Sequence, residues 1–171
     1  MWIISIYLIS VVAAFSGTLF AAYTDWRKFT IPNYISLIIV ALYPLAVLAA
    51  PAEVDWLFAL LIAAVTFAVG FLLFAVGIFG GGDVKLITAL SLWAGPPLMV
   101  SFLVGVLLSG GILAIFILCR EAWRQSEEAG GFVRGAKAAI RARTPVPYGI
   151  AIAFGSIPIF FHYLKASGIF G

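Results

Sequence analysis

Residues 56–79 read WLFALLIAAVTFAVGFLLFAVGIF, an apolar stretch without a single charged side chain. A helix that spans the hydrocarbon core of a bilayer needs about 20 apolar residues, so this stretch is long enough. The rest of the chain has the same character, because 64% of its 171 residues are hydrophobic and only 10% are charged. Soluble domains are about half apolar and about a quarter charged. The composition therefore excludes a soluble enzyme or nucleic-acid-binding module and indicates an integral membrane protein.

Further apolar segments, separated by charged residues or by Gly and Pro, extend this pattern along the chain. We predict an all-α membrane protein with one domain over residues 1–171 and six transmembrane helices. Their approximate bounds are 2–23, 34–50, 56–79, 84–94, 98–118 and 148–164, and residues 120–147 are expected to form a cytoplasmic loop with one surface helix near 132–140. The first segment lacks the basic start of a cleavable signal peptide, so we expect it to be retained.

The positions of Lys and Arg predict the orientation of these segments. If the N-terminus lies outside and all six segments cross, only Lys165 of the ten basic residues lies outside, together with the C-terminus. Such an excess of basic residues is typical of the cytoplasmic side. The segment 84–94 is short, with roughly 17 Å of helix against a core of roughly 30 Å. We still expect it to cross, because a re-entrant segment would move the basic residues of 120–143 outside.

Two aspartates, Asp25 and Asp83, are expected at the cytoplasmic end, and Asp55 is expected at the other end. Each of the first two has a simple structural explanation, because Asp83 could cap a helix and Asp25 could balance Arg27 and Lys28. The three glycines before Asp83 favour another role, since a cap does not need them and close approach by another chain does. Two adjacent carboxyl groups share one proton. The ionised one can activate water while the other protonates a scissile carbonyl, as in an aspartic protease.

Other candidate residues are weaker. His162 is the only histidine and is expected to pack at the outer interface, and Cys119 is expected to be a buried structural thiol. A single cysteine excludes a disulfide framework and a cysteine-rich zinc site. Gly105, Ser109 and Gly110 fall near one face of a helix, and this spacing of small residues is typical of close helix packing.

Two motifs resemble those of the type IV prepilin peptidases. Residues 25–33, DWRKFTIPN, resemble the D-x-R-x-x-x-I-P-N signature of that family, and residues 80–85, GGGDVK, match its G-x-G-D-x-K element. Residues 147–149, PYG, resemble a further proline–glycine element. The motifs occur in the expected order and spacing, so the resemblance covers nearly the whole chain.

The resemblance implies a GxGD-type aspartic protease-like bundle in a bacterial or archaeal inner membrane, with its active site facing the cytoplasm. It implies that Asp25 and Asp83 are catalytic and that the partner is a prepilin or pseudopilin whose basic leader is removed. Larger members of the family also methylate the new N-terminus through a domain with paired cysteines. The chain contains no such domain, and it therefore looks like the short, peptidase-only form associated with Flp (tight-adherence) pili.

The resemblance also points to residues that position the substrate or the two aspartates. These are Gly80, Gly81, Gly82, Arg27, Pro32, Asn33, Lys85, Pro147 and Gly149. The three glycines could admit an extended substrate backbone, Pro32 suits the start of a helix, and Asn33 could orient the loop next to Asp25. We expect Lys85 to serve as a topology signal or to contact lipid headgroups rather than to take part in the reaction. No metal, cofactor or nucleic acid is expected.

Two other functions stay open at this point. Acids embedded in membranes also act as proton relays, so a small proton-coupled transporter is one alternative. It is disfavoured because both acids are expected at one face, with no chain of polar residues toward the other. The second alternative is a non-catalytic assembly protein of a pilus or secretion machine, which should tolerate the loss of either aspartate.

Overall fold

The computed structural model describes residues 2–129, 131, 137, 139–140 and 146–168. The surface helix predicted near 132–140 lies largely outside these residues. The described part of the chain contains helices and no strands. In chain order, the helices are α1 (Trp2–Lys28), α2 (Asn33–Leu48), α3 (Trp56–Ala75), α4 (Gly81–Ala129) and α5 (Tyr148–Ala166).

Four of these helices, α1, α3, α4 and α5, are long and apolar enough to cross a membrane. Helix α2 has 16 residues, which corresponds to about 24 Å of helix, and is shorter than a typical span. The all-α class predicted from composition is therefore confirmed. The number of six crossings stays a prediction.

Helix α4 changes direction at Gly95, where φ is 54° and ψ is −168°. A residue without a Cβ tolerates this conformation, and the next residue, Pro96, suits the first turn of a new helical segment. We call residues 81–94 α4a and residues 96–129 α4b. The start of α4a and the middle of α4b both approach the beginning of α5, because Phe79 and Gly110 each contact Tyr148. The two parts therefore run in opposite directions.

Three helix ends differ from the predicted bounds by about four residues or more. Helix α1 continues past residue 23 to Lys28, because the first interruption of the backbone is Phe29, with a φ of 49°. Helix α3 ends at Ala75 rather than at residue 79, since Gly77 adopts a φ of 74° and its N–H bonds back to Phe74.

The third difference concerns the predicted loop 120–147, whose first part belongs to α4. Helix α4 continues to Ala129, and within this extension Glu121 accepts hydrogen bonds from Arg124 and Gln125. Side-chain pairs three and four residues apart stabilise a helix without any apolar surface. The prediction that residues 120–129 form a loop is therefore wrong.

The core of the bundle is centred on Trp93 of α4a, which is 1% exposed. Its Nε1 donates a hydrogen bond to the carbonyl oxygen of Ile39 in α2 over 2.9 Å, and its ring packs against Tyr43, Phe160 and Tyr163. These contacts join α2, α4 and α5. Helix α3 is the least enclosed by comparison, because Ala59 and Ala63 are its only buried residues.

Small residues allow α4b and α5 to cross at short distance. A Cβ on Gly105 would lie 2.9 Å from Cα of Gly155. One turn further, the hydroxyl of Ser109 donates to the carbonyl oxygen of Ala151 over 2.9 Å, and Gly110 also faces Ala151. The packing role predicted for Gly105, Ser109 and Gly110 is confirmed.

Candidate active site

Asp25 lies in the last turn of α1 and is 6% exposed, so its carboxyl group is enclosed by protein. It belongs to the helix rather than following it, because α1 continues to Lys28. Its Oδ2 accepts a hydrogen bond from the backbone N–H of Gly149 over 2.7 Å. The first N–H groups of a helix lack partners within the helix and attract negative charge. The start of α5 is thus a binding site for the Asp25 carboxylate.

Gly149 reaches Asp25 because it has no side chain. A Cβ at this position would lie 2.8 Å from Cβ of Asp25 and 3.1 Å from its Oδ2. The preceding residue, Pro147, is the N-cap of α5, and Tyr148 packs its ring edge-on against Phe79. The proline–glycine element noticed in the sequence therefore lies in direct contact with the first of the two aspartates.

Asp83 is the third residue of α4 and is partly buried. Its carboxyl group turns back toward Gly80, so that a Cβ on Gly80 would lie 2.8 Å from Oδ2, and the Gly80 backbone forms a hydrogen bond with it. Asp83 thus supports the start of α4, which is compatible with the helix-capping role considered for it from the sequence. It does so from within the first turn, and its carboxyl group also has a second neighbour.

That second neighbour is Asp25, whose charge acts directly on Asp83. The structure therefore brings the two predicted aspartates, one from α1 and one from α4, into a single electrostatic environment where α5 begins. Asp55 lies at the opposite end of the bundle, where it caps α3 by accepting a hydrogen bond from the N–H of Phe58. There it lines a cavity together with Gly95. The predicted separation of Asp55 from the pair agrees with this arrangement.

The three glycines before Asp83 allow close contacts within the protein. A Cβ on Gly82 would lie 3.1 Å from Cβ of Ile31, in the connection between α1 and α2, and one on Gly81 would lie 3.3 Å from the ring of Phe74. The start of α4 is therefore packed against α3 and against the segment that follows Asp25. A role in admitting the substrate backbone stays a prediction.

Lys85 and Asn33 form a contact that the sequence analysis missed. The Nζ of Lys85 donates a hydrogen bond to Oδ1 of Asn33 over 2.8 Å and links the first turn of α4 to the first turn of α2. Pro32 precedes α2 in an extended conformation. Each residue lies in one of the two motifs, 25–33 or 80–85, but nothing in the sequence indicates that the two side chains meet.

The remaining candidates lie away from this contact network. Arg27 is exposed, and within the described ranges the only ion pair joins Arg124 to Glu121, so Arg27 does not neutralise Asp25. Cys119 is exposed, and the prediction of a buried thiol is wrong because α4b turns this residue away from the bundle. The described residues include no group of three His, Cys, Asp or Glu side chains that could hold a metal ion.

Comparison with protein-family models matches residues 5–115 of the chain to the type IV leader peptidase family. The matched region contains both Asp25 and Asp83, whereas Gly149 and the rest of α5 follow it. A search of curated proteins and a search of solved structures each found no matching protein.

Proposed function

Because the chain belongs to the type IV leader peptidase family, we propose that it is a membrane-embedded aspartic endopeptidase that removes the basic leader of prepilins or pseudopilins. Family membership supports a peptidase of the prepilin type, and four long apolar helices support a multi-pass membrane protein. The observation that carries the aspartic mechanism is that Asp25 and Asp83 lie at the same end of the bundle, where Gly149 binds Asp25, Gly80 adjoins Asp83 and Phe79 packs on Tyr148.

The contacts of the two carboxyl groups suggest a separate role for each. The backbone N–H of Gly149 bonds to Oδ2 of Asp25 and stabilises its ionised form, so we assign Asp25 as the general base. Asp83 is held toward Gly80 beside this negative charge, and we assign it as the partner that carries the shared proton.

Hydrolysis then proceeds without a covalent intermediate. Asp25 takes a proton from a water molecule, the water oxygen bonds to the scissile carbonyl carbon, and Asp83 gives its proton to the carbonyl oxygen. When the tetrahedral diol collapses, the C–N bond breaks, Asp25 passes its proton to the leaving nitrogen, and Asp83 regains a proton from a diol hydroxyl. Both aspartates return to their starting states, and the step uses neither a metal nor a cofactor.

We further propose that this site faces the cytoplasm from a bacterial or archaeal inner membrane, with both termini exterior. The distribution of Lys and Arg supports this orientation. The reversal of α4 at Gly95 supports six crossings, because α4a and α4b can then cross separately. A substrate of the Flp pilin class is proposed because residues 1–171 contain one cysteine and not the paired cysteines of the methylating members.

The test is cleavage of a co-expressed Flp-type prepilin by variants with Asp25→Asn or Asp83→Asn. An amide keeps the volume of the side chain but cannot exchange the required proton, and general acid–base catalysis is worth about 10²–10⁴-fold per group. Each single variant should lose at least about a hundredfold in rate, and the double variant should be no slower, because the two groups act as one unit.

Asp55→Asn is the matched control, since this carboxyl group lies at the other end of the bundle. It should cleave at the wild-type rate. If both single variants insert into the membrane and still cleave at near wild-type rate, the aspartic mechanism is wrong, and an assembly role becomes the better explanation. A transporter would show proton-linked flux across vesicles, whereas a peptidase releases a leader peptide that mass spectrometry detects.

A further inference from the structure

A groove of about 220 Å³ between α2, α3 and α4 is lined by neither of the two aspartates and has no part in the proposed cleavage. Its polar end contains Asn33, Ser36 and Lys85, and its apolar wall contains Leu37, Val40 and Phe67. The groove therefore combines a positively charged end with a hydrocarbon-like wall.

The polar end offers hydrogen-bond donors without a negative charge to receive them. The ammonium group of Lys85 has three N–H donors, and its hydrogen bond to Asn33 uses one of them. Asn33 is neutral, and no ion pair of Lys85 occurs in the part of the chain that the structure describes. The hydroxyl of Ser36 is buried and has no hydrogen-bond partner there either. A cation that has spare donors and no ion-pair partner is complementary to an oxyanion.

The apolar wall begins next to this polar end and continues along α2. Asn33, Ser36 and Val40 are spaced three and four residues apart, so they follow one face of the helix over roughly 10 Å. Leu37 is 69% exposed and Phe67 is 47% exposed, so the wall is open toward the surroundings of the bundle. An apolar chain that continued from the bound anion would lie along this wall.

We propose that the groove binds a phospholipid, with its phosphate at the ammonium group of Lys85 and an acyl chain along Leu37, Val40 and Phe67. Phosphate supplies oxygen acceptors for the free N–H donors of the ammonium group, and an attached acyl chain covers the exposed apolar wall. Free phosphate would use only the first of these complementary features. This proposal does not rest on the proposed peptidase activity.

The test is native mass spectrometry of the purified full-length protein, titrated with phosphatidylglycerol or with diacylglycerol that has the same acyl chains. The wild type should bind phosphatidylglycerol at least about tenfold more tightly than diacylglycerol. Lys85→Gln should weaken the binding of phosphatidylglycerol about tenfold, because it removes one charge-assisted contact. Lys85→Arg should stay within about threefold of the wild type. Val40→Trp should also weaken binding by filling the wall.

Lys165→Gln is the charge-matched control, because this exposed lysine lies in the last turn of α5, far from the groove. It should bind as the wild type does. Asp25→Asn should also bind lipid normally, which separates a failure of this proposal from a failure of the proposed catalysis. The proposal is overturned if Lys85→Gln binds normally, if Lys165→Gln loses as much, if diacylglycerol binds equally well, or if inorganic phosphate fully displaces the lipid.

Discussion

Gly105 and Gly155 meet where α4b crosses α5, so closely that a Cβ on Gly105 would lie 2.9 Å from Cα of Gly155. Helix α5 also begins with the N–H group that binds Asp25. The crossing therefore fixes the helix that positions this aspartate. The close packing of these two glycines therefore helps to hold the candidate site in place, although the glycines lie far from the carboxyl groups.

Gly155→Ala should destabilise the protein. The new Cβ would lie 2.5 Å from Cγ2 and 2.7 Å from the backbone N of Val106, and the backbone cannot move aside as a side-chain end can. Overpacking of this kind costs about 1–3 kcal/mol. We expect a Tm lower by several degrees in detergent, measured by thermal unfolding. Gly111→Ala is the control, because nothing lies within 4 Å of its Cβ position. Equal Tm values for the two variants would contradict the packing argument.

Gly149→Ala should impair cleavage more than it impairs folding. Its Cβ would lie 2.8 Å from Cβ of Asp25, so either the carboxyl group or the start of α5 must shift and the 2.7 Å hydrogen bond is lost. We expect the cleavage rate of a prepilin substrate to fall about tenfold or more, because small displacements of a catalytic group have large effects on rate. A variant that retains the wild-type rate would show that this contact does not position Asp25.

Reporter fusions test the orientation of the bundle. A reporter protein fused after Arg124 should indicate a cytoplasmic location, whereas reporters fused near Glu53 and after Lys165 should indicate an exterior location. The physical reason is the excess of Lys and Arg on one side of the predicted topology. An exterior reading after Arg124 would remove the argument that the two aspartates face the cytoplasm.

Leader cleavage should not depend on a thiol or on a metal. Cys119 is exposed on α4b, away from the aspartates, and the proposed step uses only carboxyl groups and water. Cys119→Ser and added EDTA should each leave the cleavage rate within about twofold of wild type, measured on the same prepilin substrate. Strong inhibition by EDTA would point to a metalloprotease.

Much of this arrangement could be predicted from the sequence because a bilayer imposes simple demands. A transmembrane helix needs a minimum number of consecutive apolar residues, and stretches such as 56–79 reach that number. The positions of basic residues then divide the connections between two sides. Those two observations were sufficient to expect Asp25 and Asp83 at one end and Asp55 at the other.

The contacts of the site could not be predicted in the same way. The ends of α1 and α4 extend beyond their apolar stretches, since a helix continues as long as its backbone and local pairs allow it. The Lys85–Asn33 hydrogen bond depends on how α2 and α4 pack, which hydropathy does not encode. The same holds for Gly82, which faces Ile31 inside the protein.

The bond between Gly149 and Asp25 joins two residues that are 124 positions apart in the chain. A ribosome therefore delivers α1 to α4, with both aspartates, before it delivers the N–H group that holds Asp25. A nascent chain without α5 contains both aspartates but lacks the hydrogen bond that positions Asp25. In the peptidase that we propose, leader cleavage therefore begins only after α5, the last described helix, has docked and its N–H group has bound Asp25.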